Sequence, residues 1–225
     1  MSGAGHPAAS APNDTLHEPV SSAASRDRRG GTIDGMEPRR VLLFAGHRVD
    51  APGRAAARFP AACVGIAAQA IAEAIDASGA AAGDLALTQG AAGGDLLFAE
   101  ACASRGLRVR LMLPFAEAEF VERSILPSQD GATWHARWRA LRERLADAPL
   151  VLPEGCATDA NGDDAFERCN VWMLDAAFAH GAERLSFICL WDGAQGDGPG
   201  GTAQMVDAAR RRGARVRWLD TRSLW

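Results

Sequence analysis

Leu85-Ala86-Leu87-Thr88-Gln89-Gly90-Ala91-Ala92-Gly93-Gly94-Asp95-Leu96-Leu97-Phe98-Ala99-Glu100-Ala101-Cys102-Ala103-Ser104-Arg105-Gly106-Leu107-Arg108-Val109-Arg110-Leu111-Met112-Leu113 holds one full alternation of strand and helix. Leu85–Thr88 is a short apolar run of strand length, closed by a turn rich in small residues. A helix is expected from about Asp95 to Ser104, with Gly106 placed to end it in the left-handed conformation. Val109–Leu113 is a second apolar run, stopped by Pro114. A strand, a crossover helix and a further strand of this length form a parallel βαβ unit.

The same grammar extends both ways. Upstream, Val41-Leu42-Leu43-Phe44-Ala45 is a continuous apolar run ending at Gly46, as suits a strand covered on both faces. Pro60 then opens a helix whose apolar face is expected to be Ile66, Ala67, Ala70, Ile71, Ala74 and Ile75. Downstream, residues 115–147 read as mostly helical, with Trp134, Trp138 and Leu141 along one face, and Leu150–Leu152 as a short strand. A helix over about 164–180 follows, then the strand Leu185–Leu190, a glycine-rich loop, a helix near Thr202–Arg212 and a last strand Val216–Leu219. The expected fold is a three-layer, Rossmann-like α/β domain with a mostly parallel sheet.

The chain has 225 residues, a hydrophobic fraction of 48% and a formal charge of −4. That is ample for one packed core, and no apolar run reaches the roughly 18 residues of a membrane span. Residues 1–37, rich in Ser, Ala, Gly and Pro, are expected to be a disordered tail before one domain over 38–225. The tail holds no hydrophobic core of a secretory signal, which points to the cytoplasm. All 24 basic side chains are arginine. The lysine of a phosphate-loop triphosphatase and any lysine Schiff base are therefore excluded. Cys63, Cys102, Cys156, Cys169 and Cys189 are widely spaced and mostly flanked by apolar residues, so they read as buried thiols and no metal site is expected.

Three loops leave carboxyl ends of strands, where parallel sheets bind ligands. In Gly46-His47-Arg48-Val49-Asp50, the glycine allows close approach, Arg48 could grip a phosphate and Asp50 a ribose hydroxyl; alternatively Arg48 and Asp50 pair with each other. In Gly90–Asp95, Gly90, Gly93 and Gly94 would leave N–H groups at a helix N-terminus open to an anion. Asp95 could cap that helix, and as a cap it would oppose an anion there, which favours a ribose or base contact over a phosphate. In Gly196–Ala203, Gly200, Gly201 and the Thr202 hydroxyl could cradle a phosphate. Arg168 and Asn170 lie on a helix whose buried stripe is Phe166, Cys169, Met173 and Ala177, with Asn170 at its edge. Val171, Trp172 and Phe178 extend the apolar surface of that helix, as in a sandwiched helix or a subunit interface, and a homodimer is possible. Trp191 is placed to stack on a base. No catalytic triad is visible; Asp95 or Glu100 could serve as acid or base.

The Gly90-Ala91-Ala92-Gly93-Gly94-Asp95 loop and its helix resemble the G-x-x-x-G-x-D segment of the SLOG superfamily, which includes the Lonely Guy-type phosphoribohydrolases, the DNA-processing protein A family and YpsA- and YspA-like proteins. Arg168-Cys169-Asn170-Val171-Trp172-Met173-Leu174 is similar to the Arg-Asn-x-x-Met-Leu helix of YspA-like members, with one residue inserted after Arg. Gly201-Thr202-Ala203-Gln204-Met205 resembles their Gly-Thr-Ala-x-Met segment. The resemblance covers roughly residues 40–220 and implies a Rossmann-like fold with a nucleotide-derived ligand. It leaves three functions: binding or sensing of such a ligand, hydrolysis of a nucleotide N-glycosidic bond, or single-stranded DNA binding. Pro199-Gly200-Gly201-Thr202 departs from the phosphoribohydrolase Pro-Gly-Gly-x-Gly-Thr-x-x-Glu pattern, and the acidic net charge runs against nucleic acid.

Overall fold

A computed structural model of the chain describes residues 37–153, 163–194 and 201–225. The tail expected over 1–37 lies, Glu37 apart, outside the described residues, as do Cys156 and the loop residues up to Gly200.

Six strands form one sheet, every neighbouring pair parallel: β1 Val41–Gly46, β2 Leu85–Thr88, β3 Arg108–Leu113, β4 Leu150–Val151, β5 Leu185–Trp191 and β6 Arg215–Asp220. Their order is β4-β3-β2-β1-β5-β6. The fold is a three-layer Rossmann-like α/β arrangement, with the sheet wholly rather than mostly parallel.

Alternate residues of each strand feed two cores. Leu42 and Phe44 pack with α1 (Val64–Ala77), α2 (Gly94–Ser104), α3 (Glu117–Ser124) and α4 (Gly131–Arg144) on one face. Val41, Leu43 and Ala45 pack with α5 (Asp163–Phe178) and α6 (Thr202–Arg211) on the other. This period of two explains why β1 is apolar throughout: each face has a helical layer to meet.

The expected helical faces hold in the main, with Ala70 half-buried rather than buried. Pro60 opens a 3-10 turn, Ala61–Cys63, ahead of α1, and Ile66 points outward, 45% exposed, while Ala67, Ile71, Ala74 and Ile75 are buried. On α5, Cys169, Met173 and Ala177 are buried as expected and Phe166 only half-buried. Of the residues that widened its apolar surface, Trp172 and Phe178 are half-buried, the latter under the Arg212 guanidinium at 4.0 Å, and Val171 is 52% exposed. No helix among the described residues is long and apolar enough to cross a membrane.

One topological feature positions the site. From β1 the chain crosses to β2 on one side, while β5 pairs with the other edge of β1. The loops leaving β1 and β5 therefore part in opposite directions, and a crevice opens at their carboxyl ends. A short unforeseen helix, α7 (Thr221–Leu224), ends the chain, and Trp225 stacks on buried Phe59 with centroids 5.3 Å apart. That contact pins the excursion over residues 51–59 beside the crevice.

Candidate functional site

The crevice is a cleft of about 670 Å³, within the usual range for small-molecule sites. Gly46, His47, Arg48, Asp50, Asp95, Asn170, Gly201 and Thr202 all line it, so loops far apart in sequence meet in one place. Gly200 lies outside the described residues. Gly90, Gly93, Gly94 and Arg168 are not among the lining residues, and Glu100 lines a separate depression.

In the loop after β2, where N–H groups open to an anion were expected, at least two are engaged within the fold. Ala92 N–H donates to the Ser124 carbonyl at 3.0 Å and Gly94 N–H to the His47 carbonyl at 3.1 Å. Its glycines serve close approach instead. Gly93 has φ +118°, and a Cβ there would lie 2.6 Å from the Val49 nitrogen; at Gly90, φ +85°, it would meet the Trp138 ring at 2.7 Å. The loop is packed hard against the segment after β1, and this seats the start of α2 at the cleft.

Asp95 is the product of that seating. It lies in the first turn of α2, behind the N-cap residue Gly93, and is 8% exposed. Burial pushes its pKa up to about 7, against the pull of the Ala91, Gly46 and Gly90 N–H groups and the Thr88 hydroxyl facing the carboxyl group. Those donors do not reach the whole group: Oδ1 accepts no hydrogen bond among the described residues. A buried carboxyl oxygen without a donor is a rare arrangement that calls for a partner. Asp95 lines the cleft and changes protonation in the neutral range, as an acid–base group requires.

Asp50 plays a different part from the one expected. Its carboxylate accepts the backbone N–H groups of Arg58 and Phe59, each at 3.0 Å, and sits 3.5 Å from the Arg54 guanidinium. It holds the 51–59 excursion in place, while Arg48 Nη1 donates to the Arg123 carbonyl at 2.7 Å. His47 is half-buried, and that burial lowers its pKa against the opposing charge of Asp192. Its Nε2 lies 3.1 Å from the Asp192 nitrogen and 3.3 Å from the Asp192 carboxylate. Asn170 Oδ1 accepts from Gln89 Nε2 at 2.8 Å, a buried amide pair on the cleft wall beside half-buried Phe166.

Sequence reasoning missed Arg54, Arg58, Arg123 and Ser124, all of which line the cleft. With Arg48 they make four arginines against the two aspartates Asp50 and Asp95, so the wall is net positive in a chain that is net negative. The four-residue spacing of Asp50, Arg54 and Arg58 was a usable local signal; Arg123 and Ser124 arrive from α3 by tertiary contact alone. Glu100 is removed from the site by helix phase: its Oε1 accepts from Arg137 Nε at 3.0 Å, between α2 and α4. Cys169 and Cys189 are buried, which pushes both thiols up to about 12, and Cys169 donates to the Met112 carbonyl. Among the described residues no group of three or more His, Cys, Asp or Glu side chains is placed to hold a metal ion.

The class these features define is a Rossmann-like domain with a basic cleft at its switch point. No family model matches the chain, and no curated protein matches it in sequence.

Proposed function

We propose that this chain binds a nucleotide or nucleotide-derived ligand in the switch-point cleft, as a SLOG-like sensor or carrier. The observation that carries the reading is the pairing of four cleft arginines with the uncapped start of α6. Gly201 precedes that helix with no side-chain cap, and Gly201 and Thr202 both line the cleft. N–H groups of a first helical turn have no intrahelical acceptor, and together with guanidinium groups they suit a phosphate. The sugar lies toward Asp95, whose carboxyl would repel the phosphate. Trp191, half-buried and lining the cleft, is the surface for a base.

A thermal-shift panel of AMP, ADP-ribose, cyclic nucleotides and NAD tests the proposal. A ligand present at a hundred times its Kd stabilises by about 2.7 kcal/mol, which raises the midpoint by several degrees. No shift with any of the panel at millimolar concentration overturns it.

Hydrolysis of an N-glycosidic bond is the second reading, favoured by one feature, the buried and neutral-range carboxyl of Asp95. It rests on Asp95 alone, since Glu100 is outside the cleft. Release of free base and ribose 5-phosphate from a nucleoside monophosphate separates it from binding only. Single-stranded DNA binding, for which Arg137, Arg139, Arg142, Arg144, Arg210, Arg211 and Arg212 could form local basic patches, is weakened by the pairing of Arg137, Arg142 and Arg212 with Glu100, Glu117 and Asp175.

A further inference from the structure

Ser124 ends α3 and is 1% exposed, yet its Oγ has no hydrogen-bond partner among the described residues. Asp95 Oδ1 is in the same condition. Both residues line the cleft. The backbone brings them together: Ala92 N–H is bound by the Ser124 carbonyl at 3.0 Å, and the preceding N–H, of Ala91, faces the Asp95 carboxyl group. Two unsatisfied buried oxygens thus belong to residues held by neighbouring N–H groups, those of Ala91 and Ala92. One belongs to a carboxyl group that in its charged form only accepts; the other is a hydroxyl that donates and accepts.

We propose that Asp95 and Ser124 form a diol-reading subsite, in which one hydroxyl of a ribose donates to Asp95 Oδ1 while its neighbour bonds to Ser124 Oγ. The proposal rests on the nucleotide reading above and narrows it to ribonucleotides. A vicinal diol fits because it supplies two adjacent groups, each able to donate and to accept. A phosphate does not fit, because it brings no donor to Oδ1 and carries the wrong charge. Both oxygens are already desolvated in the folded chain, so a ligand that satisfies them recovers bonds whose loss of water has been met by folding. An analogue that lacks either hydroxyl leaves a buried group unpaired, and such sites discriminate strongly.

The test is titration calorimetry of the full chain with AMP, GMP, CMP and UMP, each beside its 2′-deoxy and 3′-deoxy counterparts. The preferred ribonucleotide is expected to bind tighter than either deoxy form by on the order of tenfold or more. In Ser124→Ala, one of the two deoxy penalties shrinks to about twofold or less while the other persists; Asp95→Asn reduces the other. The wild-type comparison needs no variant, so misfolding of a mutant leaves the proposal open to refutation. Equal affinity for ribo and deoxy forms, or penalties unchanged in Ser124→Ala, overturns the diol subsite alone. Failure of all four ribonucleotides to bind overturns the diol subsite, and the nucleotide reading falls with it when the thermal-shift panel is silent as well.

Discussion

Two buried aspartates bracket β2, and the molecule treats them in opposite ways. Asp84, just before the strand, is 3% exposed, and its oxygens are fully engaged: Oδ1 accepts the Arg39 and Arg40 N–H groups, each at 3.0 Å, and Oδ2 the Ala81 N–H at 2.9 Å. Asp95, just after the strand, is buried nearly as well and keeps an oxygen without a donor. At the amino edge of the sheet a carboxylate ties the starts of β1 and β2 together. At the carboxyl edge the same residue type is buried at a cost the fold does not offset. Saturation marks a structural role and an unsatisfied group marks a site for something else.

The contrast is sharpest in the pH dependence of stability. Asp95 has a folded pKa of about 7 against a reference of 3.8, so the folded chain holds its proton more tightly than the unfolded chain. Stability from that proton is complete below about pH 4 and is lost as pH rises through 7, a change of about 4 kcal/mol. Asp95→Asn cannot undergo it: the amide oxygen takes over the N–H groups, and no charge is buried at high pH. The variant should therefore gain on the wild type between pH 4 and pH 8, read as diverging curves of Tm against pH. Parallel curves would show that Asp95 is as well served as Asp84.

Asp84→Ala probes the other end. It strands three backbone N–H groups, at about 1 kcal/mol each, for a loss of about 3 kcal/mol in denaturant titration. Since Asp84 is at the far edge of the sheet, nucleotide affinity is expected to stay unchanged. A drop in affinity larger than the loss of folded protein explains would mean the two edges are coupled.

The fold was legible because its signals are local. Continuous apolar runs such as Val41–Ala45 mark strands between two layers, and Gly106 and Pro114 mark the ends of elements. The cleft was half legible. Gly46–Asp50 and Gly201–Thr202 follow from position alone, once strands alternate with helices. Ser124 and Arg123 do not, since they reach the cleft through tertiary contacts such as those of Ala92 with the Ser124 carbonyl and Arg48 with the Arg123 carbonyl. The glycines of the second loop were visible but ambiguous: a residue without a Cβ serves an anion and a tight backbone contact equally, and only the 2.6 Å approach of Gly93 to Val49 decides between them.

Glu100 shows why the carboxylates of one helix could not be sorted from the sequence. It stands five residues after Asp95 on α2, which turns it roughly 140° round the helix axis, and it faces α4 instead of the cleft. Its partner Arg137 is about one-third exposed and also lies over the Trp134 ring, 4.4 Å from the centroid. Glu100→Gln therefore removes one partly exposed ion pair and leaves Arg137 stacked in place. The loss should be under about 1 kcal/mol and should shrink further with added salt. Nucleotide affinity should not move. Denaturant midpoints at low and high salt, with calorimetry on the same variant, check both parts; a fall in affinity would return Glu100 to the site and erase the distinction between the two acids of α2.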